Sequence, residues 1–243
     1  MKLLALDSSG LVASAAIVDD NITIAEYTVN YKKTHSQTLL PMLDEIKRMT
    51  ELDLNTIDAI AIAAGPGSFT GLRIGAATAK GLGLALEIPI IPVPTVDSLA
   101  YNLYGSDKLI CPLMDARRNQ VYTGLYTFRK GIEESSGYEM HVLQKQCAVD
   151  IAEIAQQINA LGMEVIFLGD GVDAYSSRIA ELVTVNYSFA PACCNRQRAS
   201  CVGALGSVLY QNGVQEAAWE HAPEYLRLSQ AERERAERKE ETE

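Results

Sequence analysis

The residues best placed for chemistry are a glycine-rich run, Gly65-Pro66-Gly67-Ser68-Phe69-Thr70-Gly71. A run of this kind that opens a helix can hold a phosphate on the free N–H groups of the first turn. Its spacing fits neither familiar version. A Walker loop needs Gly-Lys-Ser/Thr after its spacer, and no lysine follows until Lys80; the dinucleotide pattern needs glycine or alanine where Thr70 stands. Asp7-Ser8-Ser9 reads either as a nucleotide contact or as a plain turn between strands. After Asp115 come Ala116-Arg117-Arg118-Asn119, with no glycine to let backbone N–H groups reach a phosphate. Arg117 and Arg118 could hold an anion or a partner's carboxylate, or simply be solvated.

His35, His141 and His221 have no second histidine three to five residues away, so no metal centre is expected. The cysteines (Cys111, Cys147, Cys193, Cys194, Cys201) form no C-x-x-C pair and read as reduced thiols of a cytosolic chain. No Ser-His-Asp order stands out, and no catalytic residue is assigned. A net charge of -10 opposes independent binding to nucleic acid, so RNA would be gripped mainly through a partner. The apolar start Leu3-Leu4-Ala5-Leu6 ends at Asp7, and no run approaches the roughly 20 apolar residues of a membrane span. The expected location is cytoplasmic.

The elements that would position these residues follow from periodicity. Strands are predicted at 2–7, 12–18 and 22–31, the last alternating from Ala25 onward, then a helix at 36–49 with Leu39, Met42, Leu43 and Ile46 on one face. A strand at 57–64, the glycine run, a helix to Leu86 and a strand at 90–93 complete the first half. After a connecting helix near 96–104, the order recurs: strands at 109–115, 120–128 and 138–143, a helix capped by Asp150 and ended by Gly162, a strand at 165–168, the turn Gly169-Asp170-Gly171 and another helix. The expected fold class is α/β with two βββαβα lobes, 1–105 and 106–198. A last helix, 199–212, capped by Ser200 and closed by Gly213, is expected to fold back on the first lobe. The segment 213–243 ends in a charged stretch, 229–243, read as a solvated helix or a disordered tail.

Gly71, Gly75, Ala79 and Gly83 recur every four residues along the helix after the glycine run and line one face. Each interior glycine costs about 1 kcal/mol relative to alanine. A row of small residues lets another helix approach closely. That helix is another segment of this chain, such as 36–49, or part of a partner, or else the two helices pack together and present a joint apolar surface to a second protein.

Duplicated lobes, each with an aspartate ending its first strand, are similar to the actin, Hsp70 and sugar-kinase superfamily of ribonuclease H-like type, whose lobes enclose ATP. The similarity makes Asp7, Ser8, Ser9, Asp115, Gly169 and Gly171 a vestigial nucleotide cleft; Gly169-Asp170-Gly171 matches the superfamily's adenosine-binding glycine pair in part. It also raises a rival function, an ATP-dependent small-molecule kinase.

Asp7-Ser-Ser, His35-Ser-Gln-Thr-Leu-Leu-Pro41, the segment Gly65 through Gly75, Asp115-Ala-Arg-Arg and Pro223-Glu-Tyr-Leu-Arg227 together resemble the TsaB (YeaZ) family along nearly the whole chain. The resemblance implies a scaffold subunit of the bacterial complex that forms N6-threonylcarbamoyladenosine in tRNA. In that complex TsaD transfers the carbamoyl group and TsaE, an ATPase, joins. It implies no cofactor of the chain's own, with ATP or ADP entering at the level of the complex; an apolar docking face left uncovered would favour a homodimer when the chain is alone. TsaD carries two metal-binding histidines four apart on its first helix, whereas here Leu39 stands four residues after His35. The family's dimer surface lies on the first two helices of the N-terminal lobe. Carried over, it comprises His35, Ser36, Leu39, Leu40, Leu43 and Ile46 on one helix and Leu72, Gly75, Ala76, Ala79 and Gly83 on the next.

Overall fold

The computed structural model describes residues 1–131 and 137–227; the tail 229–243 lies outside the described residues. The first lobe contains β1 (Lys2–Asp7), β2 (Ala13–Asp19), β3 (Ile22–Val29), α1 (His35–Thr50), β4 (Ala59–Gly65), α2 (Phe69–Leu86) and β5 (Ile90–Pro94). The second contains β6 (Leu109–Asp115), β7 (Gln120–Lys130), β8 (Tyr138–Asp150), α4 (Ile151–Leu161), β9 (Val165–Leu168), α5 (Gly171–Leu182) and β10 (Tyr187–Phe189). Between them runs α3 (Thr95–Ala100), and α6 (Ala199–Gln211) follows.

The sheet orders are β3-β2-β1-β4-β5 and β10-β9-β6-β7-β8. Reversing the second gives the first, element for element. In each, the opening strands pair antiparallel and the strand after the first helix adds parallel to the opening strand. Such a central strand is covered on both faces and must be apolar throughout; β1 and β6 fit this, with every residue of Leu109 to Met114 buried. The fold is therefore α/β with duplicated lobes.

Each sheet has helices on both faces. α1 and α2 cover one face of the first sheet through Leu39, Met42, Ile46 and Ala79, while α6 covers the other with Ala199, Val202 and Leu205 packed on Leu3, Ala5 and Val18. The second sheet lies between α4/α5 and the connecting α3.

Three details differ from the sequence expectation. β8 continues seven residues past Leu143, to Asp150, because the edge strand stays paired with β7 through its polar stretch. The three-residue β10, too short to show a period, completes the second sheet. Ser200 does not cap α6: Arg198 holds that position, and the Ser200 hydroxyl and N–H both donate to Glu26 Oε1. By contrast, Asp150 Oδ1 accepts from Ala152 N at the start of α4, and Gly162 ends that helix with φ +66. Among the described residues, no helix is long and apolar enough to cross a membrane.

Candidate functional site

The glycine run joins β4 to α2, with Ser68 capping the helix by accepting from Gly71 N. Its glycines face this chain's own backbone. A Cβ on Gly67 would lie 2.3 Å from the Ser9 carbonyl oxygen, and one on Gly71 would lie 2.1 Å from that of Ser8. A Cβ on Gly65 would meet the carbonyl oxygen of Glu224 at 2.1 Å. Hydrogen bonds reinforce each approach: Ser68 N donates to Ser9 O (2.6 Å), Ser8 Oγ to Gly71 O (2.9 Å) and Glu224 N to Ala64 O (2.7 Å). The glycines make room for two pieces of this chain, the Ser8-Ser9 turn and the backbone at Glu224.

That turn also seals Asp7. The aspartate is fully buried, and its Oδ1 accepts from Ser9 N (2.9 Å) and Ser9 Oγ (2.6 Å), while Oδ2 has no partner among the described residues. Burial pushes its carboxyl up to about 6, against the opposing pull of the Ser9 hydrogen bonds and of nearby His35. His35 opens α1 and donates from Nε2 to the Gly10 carbonyl at 2.9 Å. Gln197, which no sequence signal singled out, packs its buried amide on Gly10.

In the second lobe Asp115 is exposed. Its Oδ1 accepts from Arg117 N (2.7 Å) and Tyr175 OH (3.2 Å). The chain then turns through three consecutive left-handed residues, Arg117, Arg118 and Asn119 (φ 62, 56 and 61). Gly169 and Gly171 do not open toward a ligand. Cβ atoms there would lie 2.1 Å and 2.9 Å from the Leu113 carbonyl oxygen, so the pair seats the start of α5 on β6.

Between the lobes lies a cleft of about 790 Å³ lined by Ser9, Gly10, Thr70, Asp115, Arg117 and Arg118, among others. The segment 223–227 straps it. Tyr225 packs its ring at a tilt against Phe69, centroids 4.8 Å apart, and accepts from Arg73 Nε, Glu224 Oε2 accepts from Gln146 of the second lobe, and Arg227 donates to the Ala116 carbonyl. The structure thus brings Ser9 and Asp115 to one cleft but leaves Asp7, Ser8, Gly169 and Gly171 out of its lining.

The expected docking face needs correction. Leu39, Ile46, Leu72, Gly75, Ala76, Ala79 and Gly83 are all buried inside the first lobe. A Cβ on Gly75 would lie 2.4 Å from Ser8 Oγ, and one on Gly83 would lie 2.8 Å from Ala218 Cβ. The small-residue stripe receives the Ser8 turn and the C-terminal segment, with no room left for a partner's helix. Of the docking residues, Ser36 and Leu40 are exposed and His35 and Leu43 half-buried. The opposite face of α2, which the spacing argument passed over, is also apolar. Ala77, Gly81, Leu84 and Ala85 are exposed there beside half-buried Ile74 and Thr78, with Leu84 at 56% and Leu40 of α1 at 54%.

Two lobes of one topology, each ending its first strand on an aspartate, give an α/β fold of the actin, Hsp70 and sugar-kinase type. A family profile described as "TsaD: tRNA N6-adenosine threonylcarbamoyltransferase" matches residues 23–235. The "tRNA threonylcarbamoyladenosine biosynthesis protein TsaB" of Bacillus subtilis is 33% identical over 234 residues, 96% of each chain. The protein of that name from Haemophilus influenzae is 34% identical over 182 residues, 72% of this chain and 75% of the other. The solved structure "YeaZ from Pseudomonas aeruginosa" superposes with a TM-score of 0.76 at 26% identity, covering 93% of this chain and 99% of that one. The chain belongs to the TsaB (YeaZ) family.

Proposed function

We propose that this protein takes part in forming threonylcarbamoyladenosine in tRNA as a subunit without catalysis of its own, by pairing with a TsaD-type transferase. Family membership supports the pathway. The observation that carries the non-catalytic reading is the burial of Asp7 beneath the Ser8-Ser9 turn. The carboxylate that would serve an ATP-using relative is fully buried and does not line the cleft. The glycines that would cradle phosphate are filled by protein backbone instead.

The pairing surface is the outer face of α1 and α2, centred on Leu40, Ala77, Gly81 and Leu84. Exposed apolar residues grouped on two contacting helices favour a protein partner. Gly81 supports this placement: a Cβ there would meet nothing within 4 Å, so no contact within the chain requires a helix-weakening glycine. A second copy would cover the same face when the transferase is absent. The TsaE-type ATPase and its ATP or ADP join at the level of the pair, and tRNA is reached through the complex.

The test mixes the purified protein with the TsaD-type protein of the same organism and follows the complex by sedimentation. Leu84→Glu and Gly81→Arg should abolish the complex while the circular dichroism spectrum stays native. Unchanged complex formation by both variants would overturn the surface. Bulky residues at Gly75 or Ala79 cannot serve here, because they would strike the core. The rival kinase reading requires micromolar ATP binding and a transfer rate that collapses in Asp7→Asn, and titration calorimetry separates the two.

A further inference from the structure

The turn before α6 carries a feature the pairing function does not use: two adjacent cysteines. Cys193 is exposed, Cys194 is half-buried, and their sulfurs lie 3.5 Å apart. A hydrogen bond from Cys194 N to Pro191 O (2.8 Å) holds the turn that places them side by side. The other thiols are withdrawn from chemistry. Cys111 is fully buried and Cys201 donates to Asn102 Oδ1, and burial pushes both up to about 12. Cys147 is held between Gln144 and the Thr123 carbonyl.

We propose that Cys193 and Cys194 form a redox-active vicinal dithiol that a peroxide closes to a disulfide. The exposed Cys193 sulfur attacks hydrogen peroxide, breaking its O–O bond and leaving a sulfenic acid and one water. Cys194 sulfur then attacks Cys193 sulfur, the S–O bond breaks, and a second water leaves. The two thiols together give up two hydrogens and two electrons, and the peroxide is reduced to water. Reaching the disulfide length of about 2.05 Å requires the sulfurs to close by about 1.5 Å. Adjacent Cα atoms are about 3.8 Å apart, below the range of roughly 4.4 to 6.8 Å usual for disulfides, so the bond is strained and readily reduced by an external thiol.

The location gives the closure a mechanical consequence. The next carbonyl, Asn195 O, accepts from Gly169 N (3.0 Å) and Arg196 Nη1 (3.0 Å), while Arg196 O accepts from Asn102 Nδ2 (3.0 Å). Ring closure therefore pulls on the junction between the second lobe's glycine pair and the segment after α3.

The experiment treats the full chain with hydrogen peroxide, alkylates it with iodoacetamide and maps tryptic peptide 179–196, which holds both cysteines and no other. The peptide is expected to lose the mass of two hydrogens and resist alkylation, with dithiothreitol restoring both sites. Cys201→Ser should change nothing and Cys193→Ser should abolish the loss. Cys194→Ser should accumulate a Cys193 sulfenic acid that dimedone traps. Two or three oxygens added to Cys193 in the native chain without hydrogen loss, or a loss persisting in Cys193→Ser, would overturn the assignment.

Discussion

The glycine turns of the two lobes occupy matching places, between a parallel strand and the helix after it, and both press on backbone carbonyls of the lobe's first hairpin. Gly67 and Gly71 press on Ser9 and Ser8, after the lobe's aspartate; Gly169 and Gly171 press on Leu113, before it. Contact after the aspartate folds the chain over Asp7 and buries it. Contact before the aspartate leaves Asp115 at the cleft. Duplication has kept the position of the carboxylate, and a shift of a few residues in the packing point has reversed its environment.

The largest effects test the shared part of the comparison. Alanine at Gly71 or Gly169 places a methyl 2.1 Å from a backbone carbonyl oxygen, which cannot rotate away. Gly169 adds a φ of +103, a conformation other residues rarely adopt. Each variant should lose about 3 kcal/mol or more, the upper end for overpacking, read as a lower urea midpoint. A loss confined to one lobe would mean that the two turns are not doing the same job.

The difference between the lobes is sharpened by the pH dependence of Asp7. Its folded-state value of about 6 stands above the ordinary 3.8, so the fold favours the protonated carboxyl. The stabilising contribution is then fully present below about pH 4 and is lost as pH rises through about 6. A shift of this size corresponds to about 3 kcal/mol. Asp7→Asn keeps an acceptor for Ser9 and carries no charge to bury. It should be more stable than the native protein by about 1–3 kcal/mol at pH 7, and the gain should vanish near pH 4 when urea midpoints are compared. Equal changes at both pH values would show that the buried charge is not the cause.

A smaller effect separates the two faces of α2. Gly81→Ala fills open space in a helix interior and should stabilise by about 1 kcal/mol, whereas Gly75→Ala, on the opposite face, should destabilise. Opposite signs six residues apart on one helix would confirm which face is packed within the chain.

That helix also shows where sequence reasoning stopped. Periodicity identified α2 and grouped its small residues on one face, but the helix is apolar nearly all round, so no polar stripe marked the outward side. Spacing alone leaves the occupant of the stripe open between this chain and a partner; the occupants are the Ser8 turn and Ala218. The buried β1 and β6 were legible as unbroken apolar runs ending in aspartate. The strap at 223–227 was visible only as part of a family motif, because its grip on Ala64 and Ala116 works through main-chain atoms and one long arginine. The fate of Asp7 was illegible for a related reason: Asp7-Ser8-Ser9 spells a phosphate loop and a sealed turn equally well. What decides between them is the closeness of Gly67, Gly71 and Gly75, about sixty residues away.

Asp115→Asn should have the smallest effect and is the control on which the comparison rests. The side chain is exposed, and an asparagine oxygen can still accept from Arg117 N and Tyr175 OH. A change below about 0.5 kcal/mol is expected, as for most surface substitutions. If Asp115→Asn instead gained stability at pH 7 as Asp7→Asn should, the two carboxylates would share one environment in solution. The packing point of the glycine turns would then not be what distinguishes the lobes.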